Sequence, residues 1–227
     1  MRVIGINVRH GGKRQGAKLG TLIAAHRPDV VALGEAKAST PLSVLAPEGW
    51  RSHPLELSDR NGTAVLAPEL EPQPVEIEEE LEGMISVAAV GGWIVASVYM
   101  PGKHTGRKPA GWTALLRLAA QLGDRPAILI GDFNTGAPKD RTSPAALQCE
   151  AEFEALSGGL GWTDARRLGD MVETEYSWYS SSDNGFRLDH AFVSPAGMLT
   201  SDSPVCEYDH SFRASGATDH SAIILDV

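Results

Sequence analysis

Six short apolar runs, each with a polar side chain at or beside one end, constrain the fold of this chain more than any other feature. They are RVIGIN (2–7), DVVALG (29–34), WIVASVY (93–99), AILIG (127–131), RLDHAFV (187–193) and SAIILDV (221–227). Each is short, rich in β-branched residues and bounded by turn residues, the pattern of a buried strand. Between the first two lies GAKLGTLIAAH (16–26), with Leu19, Leu22, Ile23 and His26 at helical spacing and Pro28 beyond. This β-α-β opening favours a parallel pair with a right-handed crossover. After Pro41 the pattern changes. TAVLA (63–67), ISVAAV (85–90) and WIVASVY are separated by turns rather than helices, which predicts antiparallel pairing. Helices are expected over 109–123 and over 144–157, the latter with Leu147, Phe153 and Leu156 toward a core, and VCEY (205–208) reads as a strand. Together these elements predict an α/β fold with mixed sheets and helices outside.

Residues 83–102 carry no charge over twenty positions, long enough to span a bilayer. The Gly91-Gly92 pair divides them into two strand-like halves, so a β-hairpin is expected and no membrane partner. The N-terminus has no apolar core after a basic start, which predicts a cytoplasmic protein. At 227 residues and 42% hydrophobic content, one domain over 1–227 is expected. The two cysteines, Cys149 and Cys206, are too few for a disulfide framework.

Net charge is −9, which argues weakly against a nucleic-acid partner until it is divided by segment. Residues 69–82 hold seven acidic side chains and no basic one. Residues 9–18 hold four basic residues and 102–109 three, both without an acid. A basic working face is therefore expected, with the acidic stretch away from it.

The polar residues at the strand ends form a chemical inventory. Asn7 ends the first run, Glu35 follows the second, and Tyr99 ends WIVASVY. Asp132 and Asn134 follow AILIG, Asp189 sits in RLDHAFV, and Asp219-His220 precede SAIILDV. Carboxylates, amides, a tyrosine and a histidine at strand ends suit Mg²⁺, which takes oxygen ligands, keeps waters and shares substrate phosphate. CxxC and HExxH zinc spacings, the P-loop and GxGxxG do not occur.

In this order, Asn7, Glu35, Tyr99, GDFN (131–134), RLDH (187–190) and TDH (218–220) resemble the endonuclease/exonuclease/phosphatase superfamily. Tyr99 in VYMP, LGEAK (33–37) and YSWYSSSDNGFRLDH (176–190) are similar to its exonuclease III and apurinic/apyrimidinic (AP) endonuclease branch. The resemblance implies a four-layer α-β-β-α sandwich of two mixed sheets flanked by helices, the DNase I-like fold. It implies a monomer hydrolysing phosphodiesters in DNA as a 3′–5′ exonuclease, an AP endonuclease or both, in DNA repair, with Mg²⁺ or Mn²⁺. A phosphoesterase acting on RNA or a small phosphorylated substrate is the alternative, with a non-catalytic nucleic-acid-binding relative behind it.

Under this resemblance Glu35, Asn7 and Asp219 hold the metal, and Asp132 activates the attacking water with Asn134 positioning it. His220 donates to phosphate, Asp189 fixes the His220 ring, and Tyr99 contacts the phosphate or leaving group. Trp178, Phe186 and Leu188 match the pocket for a flipped abasic sugar. Lys13, Arg14, Lys103 and Arg107 are expected on the DNA backbone. Arg9 stands where this branch commonly has a small polar or acidic residue, and Gly102 where it commonly has Asn. The Tyr99–Asp132 interval of 33 residues and the Asn134–Asp189 interval of 55 predict trimmed DNA-gripping loops.

Overall fold

The structure, a computed structural model, describes all residues except 73–74, 103–105, 170–174 and 202. In chain order the strands are β1 (Arg2–Asn7), β2 (Val30–Ala36), β3 (Arg51–His53), β4 (Gly62–Ala67), β5 (Glu71–Pro72), β6 (Ile85–Val90), β7 (Trp93–Tyr99) and β8 (Ala127–Asp132). They continue with β9 (Thr163–Asp164), β10 (Trp178–Tyr179), β11 (Gly185–Phe186), β12 (Asp189–Val193), β13 (Val205–Asp209) and β14 (Ala222–Asp226). The helices are α1 (Gly16–Ala25), α2 (Leu42–Leu45), α3 (Arg107–Leu122), α4 (Glu150–Gly158), α5 (Pro195–Thr200) and α6 (Ser211–Ala214).

Two six-stranded mixed sheets result, ordered β13-β14-β1-β2-β4-β3 and β5-β6-β7-β8-β12-β9. Each is built around one parallel pair, β1–β2 or β7–β8, with antiparallel neighbours outside it. α1 and α3 are the crossovers of these two pairs.

The apolar runs read as continuous because both faces of the central strands are covered. Val3, Val30, Ile128 and Ile130 face the layer between the sheets, together with Val65, Ala191, Val193 and Ile223. Their sequence neighbours Ile4 and Val31 face the outer layer with Leu19 and Ile23 of α1. Leu129 faces the opposite outer layer with Trp112, Leu115 and Leu118 of α3 and Phe153 of α4. Hydrogen bonds also cross between the sheets near one end. Ser97 Oγ donates to the Leu33 carbonyl (2.9 Å), and the Thr63 and Ser86 hydroxyls pair at 2.8 Å.

The uncharged stretch is the hairpin β6–β7. Gly91 (φ 56°) and Gly92 (φ 84°) are both left-handed, as a two-residue turn matching strand twist requires. No helix among the described residues is long and apolar enough to cross a membrane.

Two expectations need correction. The helix expected over 144–157 begins only at Glu150, because Cys149 is left-handed (φ 68°) and closes the loop before it. The strand expected from Arg187 begins at Asp189, because the Arg187 N–H bonds the Asp140 carbonyl (2.7 Å) instead of a sheet neighbour. Part of the acidic stretch faces a cavity beside β4. Glu79, Glu80 and Glu82 line a cavity of about 1010 Å³ that Asn61 and Arg107 also line, and Arg107 donates to the Glu82 carbonyl (3.2 Å).

Candidate active site

Strand direction gathers the polar residues at one edge. β1, β2, β7 and β8 end there. Antiparallel β12 and β14 begin there. Register places Asn7 opposite Gly34, Tyr99 opposite Asp132, and Asp132 opposite Asp189.

Glu35 is aimed by a β-bulge. The β2–β4 register shifts between Gly34 and Ala36, and Glu35 adopts left-handed φ of 55°. Such a backbone costs about 1–3 kcal/mol in a non-glycine residue and clusters at functional sites. Asn134 shares this conformation (φ 50°). It is held on both sides: its side-chain amide donates to the Met100 carbonyl (2.8 Å), and Lys108 donates to its own carbonyl.

Asn7 joins the two halves of the site. Its amide nitrogen donates to Asp132 Oδ2 (3.0 Å) and Glu35 Oε1 (3.3 Å), and its Oδ1 accepts the Arg9 N–H (2.9 Å). Asp132 is buried and also accepts from the backbone N–H (2.8 Å) and side chain (2.9 Å) of Asn134. The Asx turn and the site position coincide at GDFN.

His220 Nδ1 lies 2.8 Å from Asp189 Oδ2, and its Nε2 lies 3.9 Å from Asp132 Oδ2. All three side chains are buried. Ser177 Oγ accepts the Asp189 N–H (3.1 Å), and the Tyr208 hydroxyl donates to the Asp189 carbonyl. Asp189 is thereby held by the segment before β10 and by β13 of the other sheet.

Burial pushes the Asp132 carboxyl up to about 7, Asp189 adding to the rise and His220 opposing it. Burial works against a charged His220. The Asp189 carboxylate outweighs it, and the imidazole is raised to about 10. Burial raises the Tyr99 phenol well above its ordinary value, Glu35 and Asp132 adding to it, so it stays a hydrogen-bond donor.

Asp219 is half-exposed and 3.7 Å from Arg9 Nε. The structure thus brings Asn7, Glu35, Asp132, Asn134, Asp189 and His220 into contact, with Tyr99 beside Glu35 and Asp132 and Asp219 reached through Arg9. The donor set suits a divalent cation. Asn7 links the Glu35 and Asp132 carboxylates, which supply the oxygen atoms, while the Asp189-paired His220 stands beside them as a proton donor.

Trp178 and Phe186 face each other across the β10–β11 hairpin with ring centres 5.7 Å apart, and Trp178 lies 6.4 Å from His220. Leu188 is buried behind the site. Lys13 and Arg14 are exposed and line a cavity of about 580 Å³ beside Arg9. Lys103 lies outside the described residues. Lys108, part of the basic run 102–109, and Arg141 are turned inward, Arg141 onto Glu150 at 2.6 Å.

The sequence reading missed Asn61, whose amide meets Glu35 Oε2 (3.0 Å), and the role of His10, whose N–H donates to the same oxygen (2.7 Å). It also missed the buried network behind the site. Arg187 pairs with Asp164 and with Asp140 (3.2 Å), Arg167 pairs with both acids, and His190 Nε2 meets the Thr135 carbonyl (3.0 Å).

The Endonuclease/Exonuclease/phosphatase family model matches residues 5–220, and the chain belongs to that family of phosphoester hydrolases. Two of the most similar solved structures are a 3′–5′ exonuclease (NExo) from Neisseria meningitidis and an AP endonuclease from Archaeoglobus fulgidus. The first is 23% identical, with a TM-score of 0.82 and coverage of 100% of this chain and 99% of the other. The second is 21% identical, with a TM-score of 0.81 and coverage of 100% and 98%. A 3′ phosphatase NExo from Neisseria, bound to a product DNA hairpin, is 23% identical with a TM-score of 0.82 and coverage of 100% and 98%. No curated protein matches the chain in sequence.

Proposed function

We propose that the chain hydrolyses phosphodiester bonds in DNA with a divalent cation, as a 3′–5′ exonuclease, an AP endonuclease or both. The observation that carries the reading is Asp132, buried between the Asn7 and Asn134 amides and facing an imidazole that Asp189 orients. That is a base held for one water, next to a cation held for one phosphate.

Glu35, Asn7 and Asp219 would hold the cation, Mg²⁺ being the oxygen-preferring choice. When bound, a cation there supplies Lewis acidity and makes water easier to ionise. Asp132 takes the proton of the attacking water, which the Asn134 amide helps to orient. His220, kept cationic by Asp189, donates to a non-bridging phosphate oxygen as charge builds on it. Tyr99, kept protonated, donates to the phosphate or leaving oxygen. Lys13, Arg14, Lys103 and Arg107 supply phosphate-backbone contacts. DNA is further supported by the hairpin product bound to the Neisseria 3′ phosphatase.

The test is a labelled duplex, intact or with one tetrahydrofuran abasic site, incubated with Mg²⁺, Mn²⁺ or EDTA. A 3′ ladder identifies the exonuclease and a single cut the AP endonuclease. Absence of products with both Mg²⁺ and Mn²⁺ from either duplex rejects the proposal.

A further inference from the structure

Residues 9–12 form an unusual turn. Arg9 (φ 52°), His10 (52°), Gly11 (87°) and Gly12 (62°) are all left-handed, although only the last two are glycine. The strain in Arg9 and His10 has a local effect. The turn lays the His10 main chain and ring together against Glu35. The His10 N–H donates to Glu35 Oε2 at 2.7 Å, Gly11 N–H bonds the Glu35 carbonyl at 2.8 Å, and His10 Nδ1 lies 3.1 Å from Glu35 Oε2. From the opposite side the loop before β4 delivers Asn61. Its side-chain amide is 3.0 Å from Glu35 Oε2 and 3.1 Å from His10 Nδ1.

Glu35 Oε2, His10 Nδ1 and the Asn61 amide therefore form a nearly equilateral triangle. In an octahedral site with bonds of about 2.1 Å, neighbouring ligand atoms lie about 3.0 Å apart. The three edges match one triangular face of such a site. Half a turn of the Asn61 amide presents its carbonyl oxygen where its NH₂ now stands. The His10 ring is largely exposed, so a hydrated ion reaches it without rearrangement of the core.

We propose that His10 and Asn61 are metal ligands that join Glu35, making this a nitrogen-containing site that selects a first-row transition ion such as Mn²⁺ over Mg²⁺. The inference rests on the metal-dependent reading above and adds to it. Imidazole suits transition ions, whereas Mg²⁺ prefers oxygen and keeps its waters. Without His10 and Asn61, the oxygen donors near Glu35 would hold either ion with little preference.

The test is direct binding without substrate. Free Mn²⁺ is titrated by EPR, Mg²⁺ by competition, and bound Mn²⁺ is examined by pulsed EPR for coupling to a ¹⁴N nucleus. The native protein is expected to show ¹⁴N coupling that is lost in His10→Gln and retained in His220→Gln. His10→Gln and Asn61→Ala should each weaken Mn²⁺ about 10–100-fold, the range for groups that hold or orient a metal, with a smaller effect on Mg²⁺. Asn61→Asp, which keeps an oxygen at that corner, should bind Mn²⁺ at least as tightly as the native protein. Coupling that persists in His10→Gln, or equal losses for the two ions, overturns the assignment. So does Asn61→Asp weakening Mn²⁺ as Ala does. Glu35→Gln separates the two levels. If it alone abolishes binding, the metal-dependent reading stands and the new ligands fall. If neither ion binds the native protein, both fall.

Discussion

Asp189 Oδ2 meets His220 Nδ1 at 2.8 Å, leaving His220 Nε2 directed toward Asp132, 3.9 Å away. One carboxylate thus sets both the tautomer and the charge of the imidazole that faces the other.

The pH profile follows from this pair. A base at Asp132 must be ionised, so its carboxyl, at about 7 before a cation binds, sets the acid limb of turnover, and a bound cation moves that limb lower. The donor at His220 must be protonated, so turnover falls through about 10. Asp189 raises His220, so Asp189→Asn should move the alkaline limb to lower pH as well as reduce the maximum. A kcat profile measured from pH 5 to 11 checks this. An unmoved alkaline limb would remove His220 from the mechanism.

The aromatic pair offers a test of substrate choice. Trp178 lies next to His220 and packs against Phe186 across a short hairpin. Losing two apolar contacts of about 1.5–3 kcal/mol each should slow abasic-site incision by tenfold or more in Trp178→Ala/Phe186→Ala. Digestion of intact 3′ ends should fall much less. Equal losses on the two substrates would show that the rings serve the fold and not the sugar.

Stability should depend on the ion network behind the site. Arg187 is 2% exposed and contacts Asp164 and Asp140, and burial alone would raise Asp164. Arg187, His190 and Arg167 instead hold its carboxyl well below the usual range. Arg187→Met leaves two buried carboxylates with less compensation and should cost about 3–5 kcal/mol in urea unfolding. A loss below about 1 kcal/mol would mean that the network is replaceable by packing.

Much of the site was legible because side chains that chemistry needs interrupt apolar runs. Asn7, Glu35, Asp132 and Asp189 stand at strand ends where an apolar residue would continue the pattern, and the strand directions bring those ends together. The parallel pairs and the Gly91-Gly92 hairpin were readable for the same reason of period and turn chemistry. Asn61 and His10 carried no such signal. They sit in irregular loops, and the pairing of β2 with β1 brings His10, and with β4 Asn61, to Glu35. Lys108 was counted with the basic face because sequence shows a residue's type and not the direction of its side chain. The fold turns it onto the Asn134 carbonyl. The Arg187 partners were hidden because Asp140 and Asp164 lie far away in the chain.

DNA affinity should depend on salt through the exposed basic loop. Each phosphate contact contributes about 0.9 to the log–log slope of affinity against salt. Lys13→Ala/Arg14→Ala should flatten the slope by about 1–2, measured by fluorescence anisotropy on a labelled duplex. A native slope near zero would exclude the phosphate-backbone role.

The central claim is that Asp132 is the base of a metal-dependent phosphodiesterase, and single-turnover cleavage by Asp132→Asn tests it most directly. The substitution keeps the size of the side chain and removes its basicity. With Mg²⁺ and saturating enzyme, cleavage of labelled duplex should slow by roughly 10²–10⁴ while duplex affinity stays within a few-fold. Cleavage within a few-fold of the native rate would contradict the account.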